Sequence, residues 1–323
     1  MIDVKDAAMT KPFGAHTLHS HHSHCVWDNA LAPALTVAPG DTVTFDCRDA
    51  SNGQITADST VDILTNFDME KVNPVTGPVF IDGAAQGDAL KVTVQNFAPS
   101  GWGWTALFPG FGLLTDDFKD PRLHVWTYDN SLNQPAMFNQ YAHVPLKPFT
   151  GTIGVAPGEP GIHSIIPPRN VGGNIDTRDI AAGTELILPV EVSGALFSVG
   201  DTHAAQGDGD VCGTAIESPM TVTLSFDVIK NAAPPAPQFT TRGPVTRHLD
   251  QAGYIVCTGV GPDLMQAAKD ACSAMIDRLT AEHSLAPEDA YMLMSVCGDL
   301  RITEIVDMPN WVVAFYFPRV VFG

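Results

Sequence analysis

The sequence predicts a mainly β protein, a sandwich or barrel-like core with a small α+β unit behind it, and three observations carry that expectation. Short runs alternate apolar with polar residues, each run follows a Gly- or Pro-containing turn, and the pattern changes character after a proline-rich break at 231–238. The first two mark strands with one buried face, because side chains alternate along an extended chain and turn residues supply the angles that end it. The third separates residues 1–235, read as a β-rich catalytic domain, from residues 236–323, read as a small domain that completes the fold.

In chain order, Pro39-Gly40-Asp41 leads into TVTFDC, Gln86-Gly87-Asp88 into ALKVTVQ, Ala182-Gly183-Thr184 into ELILPVEV, and Glu217-Ser218-Pro219 into MTVTLSFDVI. These runs are rich in β-branched residues, and many short strands of this kind build sandwiches or barrels. Two stretches between them, 99–118 and 155–174, are too long for simple connectors, and loops of that length tend to carry function. The segment NAAPPAPQ has too many prolines for a helix or a central strand. Beyond it, 253–259 reads as a short strand. Residues 262–283 have helical apolar spacing through Leu264, Ala268, Cys272, Met275 and Leu279. A second short helix is expected at 287–296, and closing strands at 302–306 and 311–317.

Acidic residues number 36 against 17 basic ones, for a net charge of −19. Such a surface repels polyanions, so neither nucleic acid nor a membrane is an expected partner. The opening MIDVKDAAMTK has no apolar stretch of signal-peptide length, and no segment reaches about 18 uninterrupted apolar residues. A cytoplasmic protein is expected. The 6 cysteines lie far apart without a C-x-x-C pair, which fits small buried hydrophobes in a reducing compartment better than a zinc ribbon. There is no nucleotide-binding Gly loop and no G-x-S-x-G elbow.

The densest chemistry lies in GDTHAAQGDGDVCGTAIE at 200–217. Asp201 and His203 follow an apolar run, and residues two apart on an extended chain point to one side, where both can reach one metal ion. Alone, Asp-x-His is more often a surface turn. Here Ala204 and Ala205 leave space beside the pair, 206–209 is too glycine-rich to continue a strand, and Glu217 returns just before the next one. The loop GGNID at 172–176 lets backbone approach a ligand with Asn174 and Asp176 on one side; its ordinary alternative is a turn held by those side chains. HTLHSHHSHCVWD supplies His16, His19, His21, His22 and His24, a density that suits either adventitious metal binding or an exposed polar arm. Of that region His24 and Asp28, beside Trp27, are the candidates for a buried site, and His163 is a further one. Cys212 would be a nucleophile only if a base lowered its pKa; filling a tight loop is its expected role. Trp102, Trp104, Phe108 and Phe111 either wall a pocket or form core beneath a long loop.

Taken together, GDTHAAQGDGDVCGTAIE, GGNID, NPVTGPVFIDGA at 73–84 and GTIGVAPGEPGIHSIIPP at 151–168 resemble the acetamidase/formamidase family, and the likeness runs from WDNALAP at 27–33 to the C-terminal unit. The resemblance implies hydrolysis of short aliphatic amides such as formamide or acetamide to a carboxylate and ammonia, with related members acting on other amides, including a γ-lactam. It implies a β-rich fold, a homo-oligomer (dimer or larger), and a divalent metal, zinc first and calcium as the alternative. Carried onto this chain, the family's Asp-x-His is Asp201 and His203, its Gly-Asn-x-Asp aspartate is Asp176, and its Ile-Glu glutamate is Glu217. Asp176, Asp201 and His203 are then the metal ligands, Glu217 either moves the proton or joins them, and Asn174 and Trp104 contact substrate. Asp210 stands where the family pattern expects Glu. Two competing classes are a cupin-like oxygenase or isomerase, which needs two or three histidines converging on iron, and a noncatalytic protein of the same fold.

Overall fold

The structure is a computed structural model that describes residues 15–322; the opening stretch read for a leader, 1–11, lies outside them. Strands dominate and form two six-stranded sheets. The first runs Ala15–Leu18, Thr42–Cys47, Met220–Ile229, Ala89–Pro99, Glu185–Pro189, Gln238–Thr240. The second runs Gly172–Asn174, Phe149–Val155, Phe197–His203, Val75–Ile81, Ser23–His24, with Leu35–Val37 parallel to Val75–Ile81.

Alternation explains the first sheet. Thr42–Cys47 buries Val43, Phe45 and Cys47, while Met220–Ile229 buries Met220, Val222, Leu224 and Phe226. The sheets meet through these inner faces: the Phe197 ring lies 5.8 Å from Phe45 and 5.0 Å from Phe226, both edge-on. Aromatic rings prefer that arrangement to face-to-face stacking. Neither sheet closes on itself, so of the two expected forms the sandwich is the one adopted. Phe149–Val155 and Phe197–His203 differ in being buried along their whole length.

The 99–118 stretch holds a strand that the sequence conceals. Trp102–Leu107 pairs antiparallel with Arg122–Thr127. It is buried almost throughout, so its side chains show no apolar-polar alternation. In the C-terminal unit Tyr254–Gly261, Trp311–Pro318 and Asp299–Glu304 form an antiparallel sheet. Leu264–His283 lies on it, burying Ala268, Cys272, Met275 and Leu279 as its spacing predicts, with Asp263 capping its start through Gln266 N. Pro287 opens the second helix, Pro287–Cys297, where its missing N–H costs nothing. The strand expected at 302–306 begins earlier, at Asp299, and ends at Glu304.

Asp299 explains that shift. It is a charged residue at the head of a strand, yet it is fully buried. Arg178, itself 3 % exposed, donates to both of its carboxylate oxygens, Nη2 at 3.0 Å from Oδ2, and Arg301 Nη2 adds a bond at 2.7 Å. Arg178 lies two residues past Asp176, so this pair ties the C-terminal sheet to the 172–176 loop. Among the described residues no helix is long and apolar enough to cross a membrane. Truncating one partner of a buried ion pair strands the other charge and costs about 3–5 kcal/mol. Arg178→Ala is therefore expected to lower the unfolding free energy by about that amount in urea titration, whereas an unchanged midpoint would show that the pair carries no structural weight.

Candidate active site and metal centre

The site is assembled around a residue without a side chain. Phe149–Val155 pairs with Phe197–His203 in a register that joins Thr150 to Thr202 and Thr152 to Gly200, setting Gly151 opposite Asp201. The Gly151 carbonyl accepts from the backbone N–H groups of Ile175 and Asp176, each at 3.1 Å, which fastens the 172–176 loop over the strand. A Cβ on Gly151 would lie 2.6 Å from Asp176 Oδ1, 2.6 Å from His203 Cε1 and 2.8 Å from Asp201 Oδ2. Only glycine leaves room for all three. Asp176 and Asp201 adopt left-handed backbone, φ 42° and 52°, a conformation aspartate tolerates better than most residues. The result is that Asp176, Asp201 and His203 each offer a ligand atom within 4.8 Å of the others.

Glu217 enters from the opposite side. Trp104 and Glu217 exchange two backbone hydrogen bonds of 2.8 Å, and Ser218 N donates to Thr202 O at 2.9 Å. Thus anchored, Glu217 accepts from Ala215 N through Oε1 at 2.9 Å and places Oε2 3.0 Å from His203 Nε2. The same nitrogen lies 3.2 Å from Asp201 Oδ1. Asn73 Nδ2 and Thr152 Oγ1 donate to Asp201 Oδ2 at 3.2 and 3.1 Å, and they reach Asn174 Oδ1 at 3.2 and 2.7 Å. Gln206 Nε2 holds the Asp176 carbonyl at 2.8 Å.

Crowded acids in a dry place set the electrostatics. Burial pushes the Asp176 carboxyl well above the usual range, and Asp201 and Asp210 add to it. Burial likewise raises Asp210 to about 6 and Glu217 to about 7, in each case against the pull of His203. For His203 burial favours the neutral ring, but Glu217 and Asp201 outweigh it and hold its pKa well above normal. Asp201 is the reverse case: burial would raise it, and His203 keeps it below the ordinary value.

Several acids thus surround one imidazole, and such an excess of buried negative charge calls for protons or a cation. One atom favours a cation: Asp176 Oδ1 is buried without a hydrogen-bond partner. Carboxylate and imidazole donors held about 2.0–2.2 Å from one ion stand about 3.0–3.5 Å from each other. The separation of 3.2 Å between His203 Nε2 and Asp201 Oδ1 falls in that range. The donor set therefore fits a divalent metal. One histidine belongs to the cluster, not the two or three that a cupin-like iron site needs.

Of the residues singled out from sequence, Asp176, Asp201, His203, Glu217, Asn174 and Trp104 line one cavity of about 850 Å³. Trp104 is 2 % exposed and spends its indole N–H on Asp49 Oδ1 at 3.0 Å, so it is a wall with no free donor. Three others lie away from the cavity lining. His24 has both ring nitrogens engaged, Nδ1 with Val26 O at 2.7 Å and Nε2 with Ser198 Oγ at 3.0 Å. Asp28 accepts from Ala30 N in its own turn at 2.9 Å. His163 turns to Glu159 O at 2.9 Å. Of the remaining histidines, His16 and His19 pair with Asp41 and Asp46. Cys212 is buried, with burial and Asp210 pushing its thiol up to about 11, and it packs rather than attacks. Gly151, Thr152 and Asn73 escaped notice, although both GTIG and NPVTG contain residues that neither strand nor turn chemistry demands.

The family model described as Acetamidase/Formamidase family matches residues 12–165 and 161–323. Over 268 residues the chain is 26% identical to the acetamidase of Mycolicibacterium smegmatis, covering 64% of this chain and 66% of that one. Over 372 residues it is 24% identical to the formamidase of Methylophilus methylotrophus, covering 93% and 89%. An acetamidase structure from Bacillus halodurans matches with a TM-score of 0.66 and 31% identity over 94% of this chain and 97% of that one. The gamma lactamase from Delftia acidovorans shares the fold, with a TM-score of 0.87 at 22% identity over 95% and 93%.

Gly151→Ala is expected to weaken divalent-metal binding by about 10–100-fold, the size seen when groups that orient metal ligands are disturbed, with far-UV circular dichroism unchanged. Equilibrium dialysis measures it, and native affinity in the folded variant would show that the cluster tolerates a methyl at its centre.

Proposed function

The chain belongs to the Acetamidase/Formamidase family, and from that premise we propose that it hydrolyses short linear amides to a carboxylate and ammonia at the cluster of Asp176, Asp201, His203 and Glu217. The observation that carries this reading is the convergence of the first three around Gly151, with Glu217 against His203.

Amides resist water because nitrogen donates into the carbonyl, so a catalyst must polarise the oxygen, activate water and protonate the departing nitrogen. We propose Asp176, Asp201 and His203 as ligands of a divalent metal, zinc first given one imidazole with carboxylates, calcium second. When bound, such an ion polarises the carbonyl and lowers the pKa of water. Glu217 is the group that moves the proton, taking one from water and passing it to the leaving amine. Its position supports this, with Oε2 3.0 Å from Nε2 of the proposed ligand His203, because a general base must stand within reach of the proton it takes. Asn174 Oδ1 already accepts from Thr152 and Asn73, so only its N–H donors remain for a substrate carbonyl.

Three wider proposals accompany this one. The 236–323 unit completes the site instead of acting alone, supported by Ser295 Oγ accepting from Cys212 N at 3.1 Å and Tyr291 OH accepting from Leu114 N at 2.9 Å. A cytoplasmic setting is supported by 6 cysteines held as free thiols. A homo-oligomer is supported by Val260, Ile302, Val306 and Met308, which are exposed by 58 to 79% on the C-terminal unit; apolar side chains gathered on one unit suit self-association. Sedimentation velocity is expected to give a dimer or larger, and a monomer across the micromolar range would refute it.

Ammonia release from formamide and acetamide is expected to vanish on chelation and return with zinc. Glu217→Gln should keep the metal and lose about 10²–10⁴ in kcat, the usual worth of a general base. His203→Ala and Asp201→Asn should lose metal and activity together. Metal lost from Glu217→Gln would make Glu217 a ligand, and full activity in His203→Ala with metal bound would remove His203 from the ligand set.

A further inference from the structure

Resting on the amidase reading above, we propose that the preferred substrates are uncharged primary amides whose acyl group carries an aromatic ring, formamide and acetamide being the smallest molecules the site accepts. The first ground is size. The cavity measures about 850 Å³. A water takes about 30 Å³, so the four heavy atoms of acetamide fill on the order of 100 Å³. Clefts of about 300–1,000 Å³ hold ligands several times larger.

The second ground is the wall. Phe67, Trp104 and Phe108 line the same cavity as the acid cluster. The Phe67 and Phe108 rings lie 4.9 Å apart and tilted, and Trp104 meets Phe108 edge-on at 6.3 Å. These rings form a small apolar cluster separate from the main core of the sandwich. Phe111 and Met69, 43% and 52% exposed, continue the apolar lining. A substrate of two carbons touches little of this surface, whereas an aromatic ring beside Phe108 gains the offset or edge contacts that such rings favour.

The third ground is charge. Among the described residues the lining holds Asp176, Asp201, Asp208, Asp210 and Glu217 but neither Lys nor Arg. Even with a divalent ion bound at the cluster, these five acids leave the lining net negative, so an acyl group bearing a carboxylate would enter against that field, which confines the class to uncharged amides.

The test compares kcat/KM for ammonia release by the zinc-restored full chain on acetamide, phenylacetamide and 4-carboxyphenylacetamide. Phenylacetamide is expected to exceed acetamide by about tenfold or more, the scale on which an apolar pocket discriminates. The carboxylated analogue should fall about tenfold or more below phenylacetamide. Phe108→Ala should cut the phenylacetamide-to-acetamide ratio by about fivefold or more, and Phe67→Ala serves the same comparison if the first variant does not fold. Acetamide turned over as well as or better than phenylacetamide would overturn the proposal while leaving the amidase reading intact, as would a carboxylated analogue that matches phenylacetamide. Ammonia from none of the amides would instead overturn the amidase reading itself.

Discussion

At Gly151 a strand, its neighbour and a loop come within reach of one another because no side chain stands between them. The Gly151 carbonyl takes two amides of the 172–176 loop, and its bare Cα leaves the volume in which Asp176, Asp201 and His203 meet. Everything else at the site depends on that contact. Without it the loop could not lie on the strand, and the acids would be separated by the width of a side chain. Sequence-distant residues are brought together at a point where any larger residue would push them apart.

Bringing several acids into a buried place is unfavourable unless something offsets it. Part of the compensation is visible in the described residues: His203 shared between Asp201 and Glu217, and Asn73 and Thr152 donating to Asp201. The unpartnered Oδ1 of Asp176 marks what these contacts leave undone. The rest of the fold holds the arrangement under that load. Arg178 pins the segment after Asp176 to Asp299 in the C-terminal sheet, and Trp104 pins Glu217 through paired backbone bonds. The C-terminal unit thus takes part in the geometry of the site although it supplies none of the proposed ligands.

Much of this was legible in the sequence, for identifiable reasons. Strands with one wet face, such as Thr42–Cys47 and Met220–Ile229, announce themselves by alternation. Trp102–Leu107 does not, because burial on both sides erases the pattern. Residues two apart on a strand face one side, which pairs Asp201 with His203; the two converge, but through left-handed backbone at Asp201 rather than a regular strand. The place of His24 beside Trp27 suggests a buried site, but no spacing rule reveals that Ser198, distant in sequence, engages its ring. Gly151 was hidden for a different reason. A glycine's importance lies in what its neighbours do, and those neighbours come from three separate segments.

Asp176, Asp201 and His203 are proposed to form one metal site around Gly151. The most direct measurement is anomalous scattering at the zinc edge from crystals of the zinc-loaded protein. A strong peak bounded by those three side chains is expected, absent from His203→Ala crystals grown the same way. A peak confined to the N-terminal histidines, or none at the cluster at full zinc loading, would contradict it.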